Sequence, residues 1–298
     1  MMSTLSKRVG ALAGASALVL ALAACQADSA PESETAEPEE AAEEATDATD
    51  AEESLPTVTD GVLTIATGEP AYFPYVLDDD PSSGEGFESA VAYALAEELG
   101  FAPEDVEWVR TTFEAAIQPG PKNFDFNLQQ YTITEERAEN VDFSLPYYST
   151  PQAVITNASS AAAEASSIAE LQELIIGAAT GTTSFQAIEA IIEPTSGAQA
   201  FNDNDAAKLA LETGQIDALV VDLPTAFYLT GVEITDGLIV GQLAGEVGVP
   251  DQWGLVLEKD SPLTDSVNQA LQALTDDGTL AEITDTWLGA DQSAPVLQ

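Results

Sequence analysis

The sequence has no histidine, a single cysteine (Cys25), and only 7 lysines and arginines against 52 aspartates and glutamates. Each scarcity excludes something. Without histidine the chain lacks the commonest metal ligand and the side chain best suited to proton transfer near neutral pH. One cysteine allows no internal disulfide. A formal net charge of −45 argues against nucleic acid or an anionic membrane surface as a partner. Beyond the first 24 residues the only basic side chains are Arg110, Lys122, Arg137, Lys208 and Lys259, so a site for an anion has few side chains to draw on. Neither a metal site nor a cofactor motif is expected.

What is present begins with Lys7 and Arg8, followed by an apolar run rich in alanine and leucine over residues 11–24. A basic start and a short apolar stretch form a secretory leader. The run is too short to serve as a permanent bilayer-spanning helix. It ends in Leu22-Ala23-Ala24-Cys25, which is similar to a bacterial lipobox. Residues 1–24 are therefore the expected leader and Cys25 the expected site of lipidation; the alternative is an ordinary leader with a chance cysteine. Residues 26–56 carry 12 acids and no base among Ala, Ser, Thr and Pro. Such a segment buries too little apolar surface to offset its ordering entropy, so 25–56 is expected to be a disordered, self-repelling stalk. The remaining acids are spread through the rest of the chain and read as a solvated surface.

From residue 57 the pattern becomes regular. Gly61–Ala66 is β-rich and leads into the aromatic, proline-containing loop Tyr72-Phe73-Pro74-Tyr75. Phe87, Val91, Leu95 and Leu99 recur four apart before Gly100, which predicts a helix. Strand-like Val106–Val109 and helix-like Thr112–Ile117 follow. A second series runs from strand Ile175–Ala179 through helix Ser184–Ile192 and helix Ala206–Leu211 to strand Ala218–Val221. Strands alternating with helices predict an α/β fold with largely parallel sheets.

These segments together resemble the extracytoplasmic solute-binding proteins of ABC importers, family 3, the group that takes polar amino acids. Five stretches carry the resemblance: Gly61–Tyr75; Thr132-Ile133-Thr134-Glu135-Glu136-Arg137 with Val141–Tyr147; Thr180-Gly181-Thr182-Thr183; Gly214–Ala218 with Asp222; and Asp277–Leu280 through Trp287-Leu288-Gly289. The resemblance implies a periplasmic-binding-protein-like fold, two α/β lobes around a central cleft, with two hinge crossings near 152–156 and 246–250. The first lobe is then discontinuous: 57–153 and 249–298 belong to it, and 154–248 form the second lobe. The implied function is capture of an amino acid, polar or charged, for an ABC transporter permease, by a monomer held on the extracytoplasmic face of the membrane.

The chemistry of such a cleft assigns residues. A planar guanidinium grips a carboxylate with two parallel hydrogen bonds, which lysine does not reproduce. Arg137 occupies the family's carboxylate-binding position; the alternative is a surface arginine pairing with Glu135 or Glu139. Thr132 matches a hydroxyl position beside it. Thr182 and Thr183 open a helix whose free N–H groups favour an anion, and one of the two serves as its N-cap in a plainer reading that is compatible with the first. Asp222, just beyond the run Ala218–Val221, matches the partner of the ligand ammonium. Tyr72 and Phe113 match cleft aromatics, although Phe113 reads equally well as core. Gln130, with Gln129, stands where relatives carry small hydroxyl residues. Glu69 stands where relatives that take cationic side chains carry an acid. Gly86-Phe87-Glu88-Ser89-Ala90 departs from the family's Gly-Phe-Asp-x-Asp. Two other classes stay open: an enzyme on the same fold, such as a dehydratase, and a sensor module that reports to a separate receptor.

Overall fold

A computed structural model describes residues 54–243, 250–289 and 293–298. The expected leader, Cys25, nearly all of the stalk and residues 246–249 of the second expected crossing lie outside the described residues.

In chain order the strands are β1 (Leu63–Thr67), β2 (Val106–Arg110), β3 (Phe126–Asn127), β4 (Val141–Thr150), β5 (Gln152–Asn157), β6 (Ile176–Ala179), β7 (Gln199–Phe201), β8 (Ala218–Asp222), β9 (Gly237–Leu243), β10 (Asp251–Glu258) and β11 (Val296–Leu297). The helices are α1 (Phe87–Glu98), α2 (Phe113–Ala116), α3 (Glu135–Ala138), α4 (Ile168–Leu171), α5 (Thr183–Ala187), α6 (Asn204–Glu212), α7 (Leu223–Tyr228), α8 (Thr264–Asp276) and α9 (Thr279–Trp287). Among the described residues no helix is long and apolar enough to cross a membrane.

The strands form two sheets, one of five strands in the order β2-β1-β3-β10-β4 and one of six in the order β11-β9-β5-β8-β6-β7. Each is the centre of an α/β lobe with apolar packing on both faces. On one face of the first sheet, Leu63 and Ile65 pack with Phe87, Val91 and Leu95 of α1 and Val267 and Leu271 of α8. On the other, Ala66, Tyr131, Val141 and Val256 form a smaller cluster. The second sheet is likewise flanked by a cluster containing Leu211, Leu219 and Val221 and by one containing Ile176, Ile188 and Val220. Burial on both faces explains why β1, β6 and β8 read as continuous apolar runs without alternation.

The sheets are less parallel than the alternating pattern predicts. The pairs β10·β3, β10·β4, β5·β8 and β5·β9 are antiparallel. Every one of them involves β5 or β10, the strands by which the chain enters a new sheet. A strand arriving from the other lobe has no crossover helix of its own to impose parallel entry, so either direction is open to it. The first crossing falls at Pro151, between β4 in one sheet and β5 in the other. That is slightly before the expected 152–156, because Gln152 and Ala153 already pair with Asp222 and Val221. The last residues also depart from expectation. The segment 249–298 was expected to return wholly to the first lobe, yet β11 pairs in parallel with β9 of the second sheet. Leu297 is buried there and the Gln242 N–H donates to the Pro295 carbonyl at 2.8 Å.

Candidate functional site

Loops at the ends of the strands meet between the two sheets and enclose a cavity of about 400 Å³. All nine expected ligand contacts line it: Glu69, Tyr72, Phe113, Gln130, Thr132, Arg137, Thr182, Thr183 and Asp222. They come from both lobes and from positions up to about half the chain apart, so the cavity is made by the fold and not by any one segment.

Arg137 is placed by a short helical turn. Thr134 caps α3 by accepting from the Arg137 N–H, and the side chain turns inward, 7% exposed. Its Nη1 donates to the Thr132 carbonyl at 2.7 Å and its Nη2 to the Gly181 carbonyl at 2.9 Å. Two of five N–H donors are thus used, which leaves three for a ligand. The guanidinium carbon lies 5.3 Å from the centroid of the Phe113 ring, which itself stacks on Tyr131 at 4.5 Å. Phe113 is therefore cavity wall and core edge at once. Burial lowers the Arg137 pKa, with Tyr131, Asp251 and Asp222 acting in the opposite sense. Neither Glu135 nor Glu139 forms an ion pair with it, whereas Arg110, Lys208 and Lys259 each pair with a carboxylate.

Asp222 closes β8 and precedes α7, so its carboxylate stands at the end of an apolar strand facing the cavity. It accepts one hydrogen bond, from Gln152 Nε2 at 2.7 Å. Burial first, and then the nearby Asp251, push its carboxyl up to about 8.

The hydroxyls are committed within the protein. Thr182 caps α5, accepting from the Phe185 N–H at 3.1 Å and donating to the Ala179 carbonyl at 2.7 Å. The capping alternative therefore describes its side chain. Thr132 and Thr183 sit 3.2 Å apart across the cleft, and both donate to Asp251 Oδ2, at 3.2 and 2.7 Å. Gln152 Nε2 donates to the same oxygen at 2.9 Å. Asp251, at the start of β10, thus collects donors from both lobes behind the cavity.

Gly181 has a left-handed backbone, φ +73°, and a Cβ there would lie 3.5 Å from the Glu114 side chain. This lets the carbonyl that receives Arg137 reach across from the second lobe. Further bridges are Tyr75 Oη to Thr225 Oγ1 at 2.8 Å and the Phe73 and Tyr228 rings at 4.9 Å. The lobes are in contact across the cleft.

Sequence reasoning missed Glu88 as a cavity residue and did not single out Tyr75, Gln152 or Asp251. Glu88 is 1% exposed, lines the cavity from the first turn of α1, and is pushed by burial up to about 7. The signal available was its departure from the family motif.

Fold and cavity together define a two-lobed, cleft-binding protein with a buried cation and a buried acid in the cleft. Residues 63–290 match the family model described as bacterial extracellular solute-binding proteins, family 3, and the chain belongs to that family. An L-arginine-binding protein from Pseudomonas aeruginosa is 29% identical over 75% of this chain and 86% of its own. The ABC transporter glutamine-binding protein GlnH of Bacillus subtilis is 28% identical over 71% of this chain and 76% of its own. Among solved structures, an ancestral arginine-binding protein bound to glutamine has a TM-score of 0.64 and 29% identity, covering 78% of this chain and 100% of that one.

Proposed function

We propose that this protein captures a free amino acid in its cleft and hands it to the permease of an ABC importer. The observation that carries the reading is Arg137, buried in the cavity wall with three donors unused and no carboxylate partner among the described residues, in the same cavity as the acid Asp222. An amino acid supplies the complement of both: its carboxylate meets Arg137 and its ammonium meets Asp222. Such charge-assisted bonds contribute about 1.5–3 kcal/mol each. Tyr72 and Phe113 flank the ligand, and Glu69 and Gln130 border its side chain. Thr182 and Thr183 shape the second-lobe wall that closes over it. Names of relatives that bind arginine and glutamine support the ligand class, and the name of one of them supports the transporter. Lipid on Cys25 tethers the lobes, with residues 25–56 as the stalk; residues 57–151 and the return from 250 build the first lobe, and 152–243 with β11 build the second; the protein acts as a monomer.

The test is a thermal-shift screen of the full chain against the standard L-amino acids, followed by titration calorimetry of the best ligand. Binding raises the melting temperature by mass action. Arg137→Ala and Arg137→Lys are expected to abolish binding while leaving the circular dichroism spectrum unchanged; wild-type affinity in both variants would overturn the assignment. Turnover of the bound amino acid would favour the enzyme on the same fold, and binding that stimulates a receptor without transport would favour the sensor.

A further inference from the structure

Gln130 has φ 51°, in the left-handed region that a residue with a side chain adopts only when its surroundings hold it there. What holds it is Glu88. The Gln130 N–H donates to Glu88 Oε1 at 2.8 Å, its Nε2 donates to Oε2, and Tyr147 Oη donates to Oε1 from β4. These three bonds link α1, the loop beyond β3 and a crossing strand at one buried carboxylate. They use the main-chain N–H of Gln130 and engage its side-chain amide nitrogen. Its main-chain carbonyl and Oε1 receive no hydrogen bond among the described residues. Gln130 and Glu88 both line the cavity.

We propose that Glu88 is a positioning residue of the ligand site: by taking up Gln130's donors it locks that residue in a left-handed turn and leaves it acceptors to offer. The wall beside Asp222 then accepts hydrogen bonds and favours a ligand group rich in N–H donors, such as an ammonium. This rests on the amino-acid reading above and specifies how one wall of that site is built. The clamp is strongest with the ionised carboxylate, because a protonated carboxyl accepts more weakly and its hydroxyl hydrogen finds no acceptor in the Gln130 N–H or Nε2. Burial raises the Glu88 carboxyl to about 7 against the lowering effect of those donors, so acidification through neutrality weakens the hold on Gln130. The titratable groups around Glu88 are Tyr147, Tyr75 and Tyr131, all with pKa raised above the ordinary tyrosine value, and Asp222. The tyrosines stay neutral throughout, so Asp222 is the one other group of this set that titrates near neutrality.

The experiment is a double-mutant cycle on the full chain, using the standard L-amino acid that gives wild type its largest thermal shift and titration calorimetry at pH 8 and pH 6. Glu88→Gln is expected to weaken binding at least about tenfold in the wild-type background. In the Gln130→Gly background, where glycine adopts the turn unaided, the same change is expected to alter affinity less than about twofold. An equal factor in both backgrounds, or a lowered melting temperature with unchanged affinity, overturns the positioning role. Should Glu88→Gln fail to fold, wild type and Gln130→Gly decide. Loss of affinity between pH 8 and pH 6 is expected to be shallower in Gln130→Gly, since only the Asp222 share remains. Identical losses overturn the proposal. If wild type binds none of the amino acids, the receptor reading falls and the clamp with it; binding with an additive cycle removes the clamp alone.

Discussion

Arg137 and Asp222 illustrate opposite consequences of burying a charge. Arg137 is buried with no carboxylate at hydrogen-bond distance among the described residues, which leaves its charge incompletely compensated by the protein. Asp222 relieves the same difficulty by binding a proton, its carboxyl standing at about 8 against an ordinary 3.8. Glu88 does so in part, at about 7 against 4.5. Both carboxyls hold protons more firmly folded than unfolded. Their contribution to stability is therefore greatest below the unfolded pKa values and declines as pH rises towards about 8. The ligand-free melting temperature is expected to fall from pH 5 to pH 8, and Asp222→Asn to flatten that fall; a scan in which the variant tracks wild type would refute it. The ligand ammonium prefers the ionised Asp222, so affinity should rise over the range in which ligand-free stability falls. Asp222→Asn should raise Kd by roughly 10- to 100-fold at pH 8, read by calorimetry. Arg137 was legible in the sequence because so few bases follow the leader and a long motif surrounds it. Glu88 was not, since a departure from the family motif marks one acid among 52 without showing what it holds until its partners are known.

At the scale of elements, α1 shows how local sequence and tertiary contact cooperate. Phe87, Val91 and Leu95 repeat four apart and all three are buried, so periodicity alone located the helix. Its start is decided by contact. Gly86 has φ +106°, and a Cβ there would stand 2.4 Å from the Tyr75 carbonyl oxygen. The Phe87 and Glu88 N–H groups donate to the Pro74 and Tyr75 carbonyls, joining the helix to the aromatic loop. Gly86→Ala is expected to destabilise the fold by about 1–3 kcal/mol through backbone strain alone, with the clash adding to it. Urea unfolding measures this, and a midpoint equal to wild type would contradict it. Elements that carry their own apolar pattern (β1, β2, β6, β8, α6) lie where the sequence places them. The antiparallel pairing of β4, β5 and β10 was not legible, because strand direction depends on which sheet the chain has crossed into. β11 was missed for a related reason: two residues carry no period, and only the edge of β9 makes them a strand.

At the scale of the whole molecule, the 40 acids beyond residue 56, against 5 bases, repel one another in the compact state. Raising the salt from about 0.02 to about 0.5 M shortens the screening length severalfold, so the melting temperature is expected to rise over that range. A flat or falling curve in differential scanning calorimetry would show that paired charges outweigh the repulsion. The sequence by itself determined the α/β class, the family motifs and nine of the residues that line the cleft, because hydrophobic period and short motifs are local properties. Tertiary structure alone decided what those residues hold. Gln152 and Asp251 meet 99 positions apart, Glu88 and Tyr147 59 apart, and Tyr75 and Thr225 150 apart. Whether a buried acid is neutral, clamped or free for a ligand depends on donors supplied from such distances, and no local pattern encodes them.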